Sequence, residues 1–306
     1  MIRLCCAVLI LAGTPLYAGD PSVKLTRHDD AVSVQIDGQE FTTYHFAKAQ
    51  AKPYFSPVRA ADGAVITRAI EEKPEDHPHH KGIWTAIDSV NGLNFWAEKD
   101  RIENIKVEIL KPEGNPAKLR VTNHWLTKEG MPLLIEQTDI SIYAQRLFAY
   151  DIRLTAGTRP VEFGDTKEGL FGLRVANTLR EKKGGSIINA EGKKGSKQAW
   201  GLESAWVDYF GDVGGKVYGV ALFDNPTNFR KSRYHVRDYG LFTISPFGPS
   251  AYTNGKIPAK SIVLEPGKSI ELRYGLYVHD GDTAQGKVTD AYRFYLQHEA
   301  QPIAAK

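Results

Sequence analysis

Hydrophobic and polar residues alternate with a period of two along most of this chain. Val32, Val34 and Ile36 alternate with polar neighbours across 31–37, and Asp37-Gly38 then marks a tight turn before Phe41-Thr42-Thr43-Tyr44. Further alternating or apolar runs cover 105–110, 119–126, 133–143 and 148–154. In the last of these Phe148, Tyr150, Ile152 and Leu154 share one side. Later runs occupy 186–189, 205–209, 217–223, 241–244, 261–264 and 270–278. Turn chemistry separates them at Glu113-Gly114-Asn115-Pro116, Gly184-Gly185, 211–215 and Glu265-Pro266-Gly267. Helical spacing is scarce. The clear case is 283–298, where Val288, Ala291, Tyr292 and Tyr295 fall on one face.

Many antiparallel strands closed by one helix predict an all-β fold: a large antiparallel β-sandwich, extending to a mutarotase-like supersandwich, with a C-terminal helix. No shift in composition marks a second domain, so 19–306 is expected to form a single β-sandwich domain.

Residues 1–18 carry Arg3, an apolar run from Leu4 to Ala12, the turn former Gly13-Thr14-Pro15 and then the small residue Ala18. This is the pattern of a signal peptide and predicts a periplasmic or secreted protein. The run is too short to span a bilayer, and no later stretch is long enough, so no membrane span is expected. The two cysteines, Cys5 and Cys6, leave with that segment. The remaining chain is then free of thiols, which excludes disulfide scaffolds, thiolate zinc sites, iron–sulfur clusters and cysteine nucleophiles. Net charge is only +3 and no basic cluster stands out, so nucleic acid is not an expected partner.

Chemistry-bearing residues concentrate in three segments. The first is Glu75-Asp76-His77-Pro78-His79-His80-Lys81-Gly82-Ile83-Trp84. Pro78 places it in a loop or at a strand edge. In an extended backbone His77 and His79 project to one side and His80 to the other. That pairing suits a divalent metal on His77 and His79. Alternatively, His79 or His80 serves as an acid or base, or the block is a turn whose imidazoles bond to backbone.

In the second segment, 163–174, Asp165 and Glu168 sit in a Gly-punctuated loop that enters a strand ending at Arg174. The two carboxylates form a candidate acid/base pair, and Arg174 is a candidate for holding a carboxylate or orienting Glu168. The other reading is a solvated charged turn. The third segment turns at Asn225-Pro226, includes Asn228, and then places His235, Arg237 and Tyr239 on one alternating face. Such a row suits a sugar or another polar small molecule; the alternative is a half-exposed strand. Five tryptophans are available for sugar stacking or for the core. No complete phosphate-binding Gly-x-x-x-x-Gly-Lys-Ser/Thr loop occurs, since Gly281–Lys287 is followed by Val288, and no Gly-x-Ser-x-Gly elbow occurs.

These segments together resemble a family of exported bacterial proteins labelled "methane oxygenase PmoA". The resemblance rests on 76–84, Asn91-Gly92, Phe95-Trp96, Thr166-Lys167-Glu168-Gly169, Arg174-Val175-Ala176, 206–209, Asn225-Pro226 with Asn228, 235–240 and Pro246-Phe247-Gly248. Ile244-Ser245 departs from the pattern, where an asparagine is expected. The resemblance implies a β-sandwich in a carbohydrate context. It does not imply methane chemistry, since the membrane subunit of that name has spans this chain lacks.

The leading expectation is an exported enzyme doing acid/base chemistry on a sugar, as an epimerase, lyase or hydrolase. His79, His80 and Glu168 are its candidate catalytic groups, and Asp165, Arg174, Asn228, His235 and Arg237 its candidate substrate contacts. A non-catalytic carbohydrate-binding module and a metal-dependent oxygenase are the alternatives. The enzyme reading requires the three segments to converge.

Overall fold

A computed structural model describes residues 20–71, 74 and 76–298. The segment 1–18 therefore lies outside the described residues. Two large antiparallel sheets face each other. The nine-stranded sheet runs in the order Arg233–Val236, Leu241–Ser245, Phe171–Arg174, Ile83–Thr85, Tyr54–Phe55, Gln39–His45, Ala31–Ile36, Val23–Arg27 and Glu113–Gly114. The eight-stranded sheet runs Ser186–Asn189, Trp206–Val213, Lys216–Asp224, Ser269–Asp280, Leu147–Ala156, Pro132–Tyr143, Ala117–Leu126 and Ile102–Lys111. The fold is the expected all-β sandwich with a C-terminal helix.

Alternation explains the layers. Every second residue of Ala117–Leu126 is buried, from Ala117 through Leu119 and Val121 to Trp125. Rings then bridge the sheets: Phe41 stacks on Phe148 at 5.2 Å, and Phe171 meets Tyr150 at 4.5 Å and Tyr274 at 5.7 Å. A buried Phe or Tyr brings 150–250 Å² of surface out of water, so these contacts tie the two sheets firmly. Glu136 is the exception in this core. Its carboxyl accepts from Trp125 Nε1 at 2.8 Å, Thr138 Oγ1 at 3.0 Å and Asn123 Nδ2 at 3.2 Å, and burial raises its pKa.

The C-terminal helix spans Val288–His298 and lays Val288 and Tyr295 on the eight-stranded sheet against Trp206 and Phe223. It starts five residues later than its apolar spacing predicts, because 281–287 form turns. Asn91-Gly92 leads into a turn-rich stretch. Residues 93–99 form turns that bury Phe95 and Trp96 without a strand. Among the described residues no helix is long and apolar enough to cross a membrane.

Candidate functional site

The floor of the site is a row of paired residues. Trp84 faces Gly172, Gly172 faces Thr243, and Thr243 faces His235 on four neighbouring strands. Directly paired residues project to the same side of a sheet, so these four share one face. Their chain neighbours Ile83, Leu173, Phe242 and Val236 point into the core. Gly172 is required here. A Cβ on it would lie 2.3 Å from the Phe242 carbonyl oxygen and 2.6 Å from Thr243 Cα.

The histidine block folds over one end of this floor as a turn rather than an extended strand. The His80 amide donates to the His77 carbonyl at 2.9 Å, with Pro78 and His79 at the corner. Proline pre-sets the first corner residue, and His77 enters the turn with a left-handed φ of 40°. The expected side assignment is thereby corrected. The His77 and His80 rings lie parallel at 4.6 Å, and His79 stands perpendicular to both. The stack continues from His80 onto Trp84 and from His77 onto Tyr239.

Three cations pin this turn from beneath. Arg68 donates to the carbonyls of Asp76, His77 and His80 and to the Asp76 carboxylate at 2.6 Å. Arg174 reaches the same carboxylate at 2.9 Å and donates to His80 Nδ1 at 3.2 Å. Arginine only donates, so His80 Nδ1 is an acceptor and its ring hydrogen sits on Nε2. Lys52, wholly buried, donates to the His79 carbonyl at 2.9 Å and to Glu98 at 2.7 Å, and burial lowers its pKa to about 8. Neither Arg68 nor Lys52 carries a local motif, and sequence reasoning missed both. Lys52 lies 27 residues before His79, whose carbonyl it binds, and Arg68 lies eight before Asp76.

At the other end of the floor, Glu168 keeps 24% of its side chain exposed. Its carboxylate lies 2.8 Å from Lys167 Nζ and 3.6 Å from His235 Nδ1. His235 is buried, and its Nδ1 also donates to the Lys167 carbonyl at 3.2 Å. That leaves Nε2 as the acceptor nitrogen, with no hydrogen-bond partner. The two ends meet through the third segment. Tyr239 lies on His77 and under the Arg174 guanidinium, and burial raises its pKa while the Arg237 charge lowers it. Arg237 in turn lies over Trp200, whose ring edges onto His235.

These surroundings keep the histidines neutral. Burial, reinforced by Lys52 and His77 and opposed by Glu98 and Glu168, lowers His79 to about 4. Burial drives His80 far below the usual histidine range, helped by His79, His77 and the two arginines. Burial also lowers His235 to about 4, with Glu168 opposing and Arg237 assisting.

The structure thus gathers His77, His79, His80, Glu168, Arg174, His235 and Arg237. Two candidate contacts lie elsewhere. Both Asp165 oxygens accept backbone amides, of Ser250 and Ala251, and so cap the short helix Pro249–Thr253. Asn228 is committed to Asp224 and to both backbone groups of Arg273 on the eight-stranded sheet. Arg174, His80 and His235 are each about 1% exposed, which makes them supports rather than contacts. Among the described residues no group of three or more His, Cys, Asp or Glu is arranged to hold a metal ion. The expected metal pair, His77 and His79, has its rings 5.8 Å apart and 76° from parallel.

Residues 31–293, which include the whole of this site, match a family described as of unknown function, DUF6807. The chain belongs to this family. That match overturns the resemblance to a family labelled "methane oxygenase PmoA", and the oxygenase alternative that came with the label goes with it. No curated protein matches the chain. Among solved structures, a GH36 alpha-galactosidase from Geobacillus stearothermophilus is similar at 11% identity and a TM-score of 0.43, over 86% of this chain and 41% of that one. This DUF6807 chain therefore spans 41% of the galactosidase's length. A galactose 1-epimerase from Lactobacillus acidophilus NCFM is similar at 8% identity and a TM-score of 0.40, over 85% of this chain and 98% of that one.

Proposed function

We propose that the outer face of the nine-stranded sheet binds a sugar and transfers protons at it. One observation carries this reading: a single floor joins the part-exposed Glu168 carboxylate, 3.6 Å from His235 at one end, to the half-buried His79 imidazole, which stands against His80 over Trp84 at the other. In this arrangement Glu168 accepts a proton from a sugar O–H or C–H. Neutral His79 donates a hydrogen bond to the oxygen on which negative charge develops, a role suited to an imidazole whose pKa is held low. Arg174, His80 and Asp76 position the turn that carries His79.

A binding module that displays tryptophans fits less well. Trp84, Trp96, Trp125 and Trp206 are all buried, and Trp200 alone is half-exposed. The proposal includes export, on the pattern in residues 1–18.

The test is proton NMR in D2O on hexoses, hexuronates and their oligosaccharides, with and without protein. Accelerated anomeric interconversion, deuterium uptake or new products support the reading. No change with any sugar contradicts it.

A further inference from the structure

Charge around the site is uneven. Arg68 and Arg174 share Asp76, Lys52 and Lys81 share Glu98, and Lys167 takes Glu168. The adjacent Asp238 pairs with Lys182. Arg237 makes no ion pair among the described residues, although it is half-buried and lies 5.8 Å over the Trp200 ring. A guanidinium held this way, partly out of water and without a carboxylate, is a poor structural choice and a good ligand group.

Its position matters as much as its charge. Glu168 lies 3.6 Å from His235 Nδ1, and Arg237 lies over Trp200, whose ring edges onto His235, so both charges border the same imidazole. A sugar ring lying over His235 would place one end at Glu168 and the other at Arg237.

We propose that the ligand is an acidic sugar of the hexuronate class, whose carboxylate is bound by Arg237. This deepens the sugar-site reading above and rests on it. One unpaired guanidinium matches one negative charge, and its planar fork matches a planar carboxylate. Arg237 is then the residue that sets specificity, separate from the proton-transfer pair.

The test is titration calorimetry with glucuronate and galacturonate, with glucose and galactose, and with glucose 6-phosphate, at low and raised salt. The wild-type protein should bind a hexuronate at least about tenfold tighter than the matching hexose, an advantage that raised salt reduces. Arg237→Gln should lose that advantage, bringing the affinity for the hexuronate down to that for the matching hexose. Arg237→Lys, which keeps the charge and loses the fork, should retain part of it and guards against a folding failure of the first variant. Equal binding of hexose and hexuronate overturns the inference and leaves the sugar-site reading standing. Tighter binding of the phosphate overturns the carboxylate assignment. An advantage that survives in Arg237→Gln overturns the role of that residue. Binding of no sugar overturns this inference and the proposed function together.

Discussion

The ring of His77 lies flat against that of His80, with centroids 4.6 Å apart and planes 4° from parallel. Two imidazoles stack this closely only if they are not both charged. Burial and the arginines at Asp76 hold His80 neutral, so the contact is maintained. The Asp76 carboxylate is the centre of that arrangement, bound by Arg68 and by the buried Arg174.

Replacing Asp76 by Ala should therefore cost more than a surface ion pair does. It leaves Arg174 buried without its anion and frees the turn. Because Asp76 itself is 39% exposed, the expected loss is about 1–3 kcal/mol, below the range for a fully buried pair. Urea unfolding measures it, and a loss near zero would show that the two arginines do not depend on Asp76.

Gly172 supports the floor in a different way. Gly172→Ala drives a methyl group into the backbone of the neighbouring strand at Phe242 and Thr243. Overpacking of this kind costs about 1–3 kcal/mol. Thermal unfolding should report a lower Tm, and an unchanged Tm would mean that the strands part without strain.

Stability should fall on acidification from about pH 6.5 towards pH 4. His79 and His235 have folded pKa values near 4, below the ordinary histidine value, so in this window the unfolded chain binds more protons than the folded one. Their contribution is present above the window and lost through it. His235→Asn should flatten this limb. His279 acts in another window. Burial disfavours its charge, but Asp208, 3.0 Å away, outweighs that and raises its pKa. Its share is complete below about pH 6.5 and is lost as pH rises through its folded value. Melting curves across pH 4–9 check both limbs; a wild-type acid limb equal to that of His235→Asn would contradict the first.

The strands were legible because alternation is local, and Leu147–Ala156 matches the expected run to within two residues at each end. The three chemistry-bearing segments were legible as composition, since His77, Glu168 and His235 stand among turn residues. Their roles were not. Pro78 converts an extended segment into a turn, which reverses the predicted facing of His77 and His80. Asp165 and Asn228 look like ligand contacts in sequence, yet both satisfy backbone groups, the commonest task of Asp and Asn beside turns. Lys52 reaches the site across 27 residues, and Arg68 stands outside the histidine block that it holds, so neither leaves a pattern within it.

The central claim is that Glu168 and His79 act as one unit on a sugar. Its most direct test is a double-mutant cycle on the sugar that the wild-type protein converts, comparing Glu168→Gln, His79→Asn and the pair, with melting curves to verify folding. Groups that act together in general acid–base catalysis each account for about 10²–10⁴-fold in rate, and removing both costs little more than removing one. The account predicts that outcome. A folded single variant that turns over at the wild-type rate would contradict it.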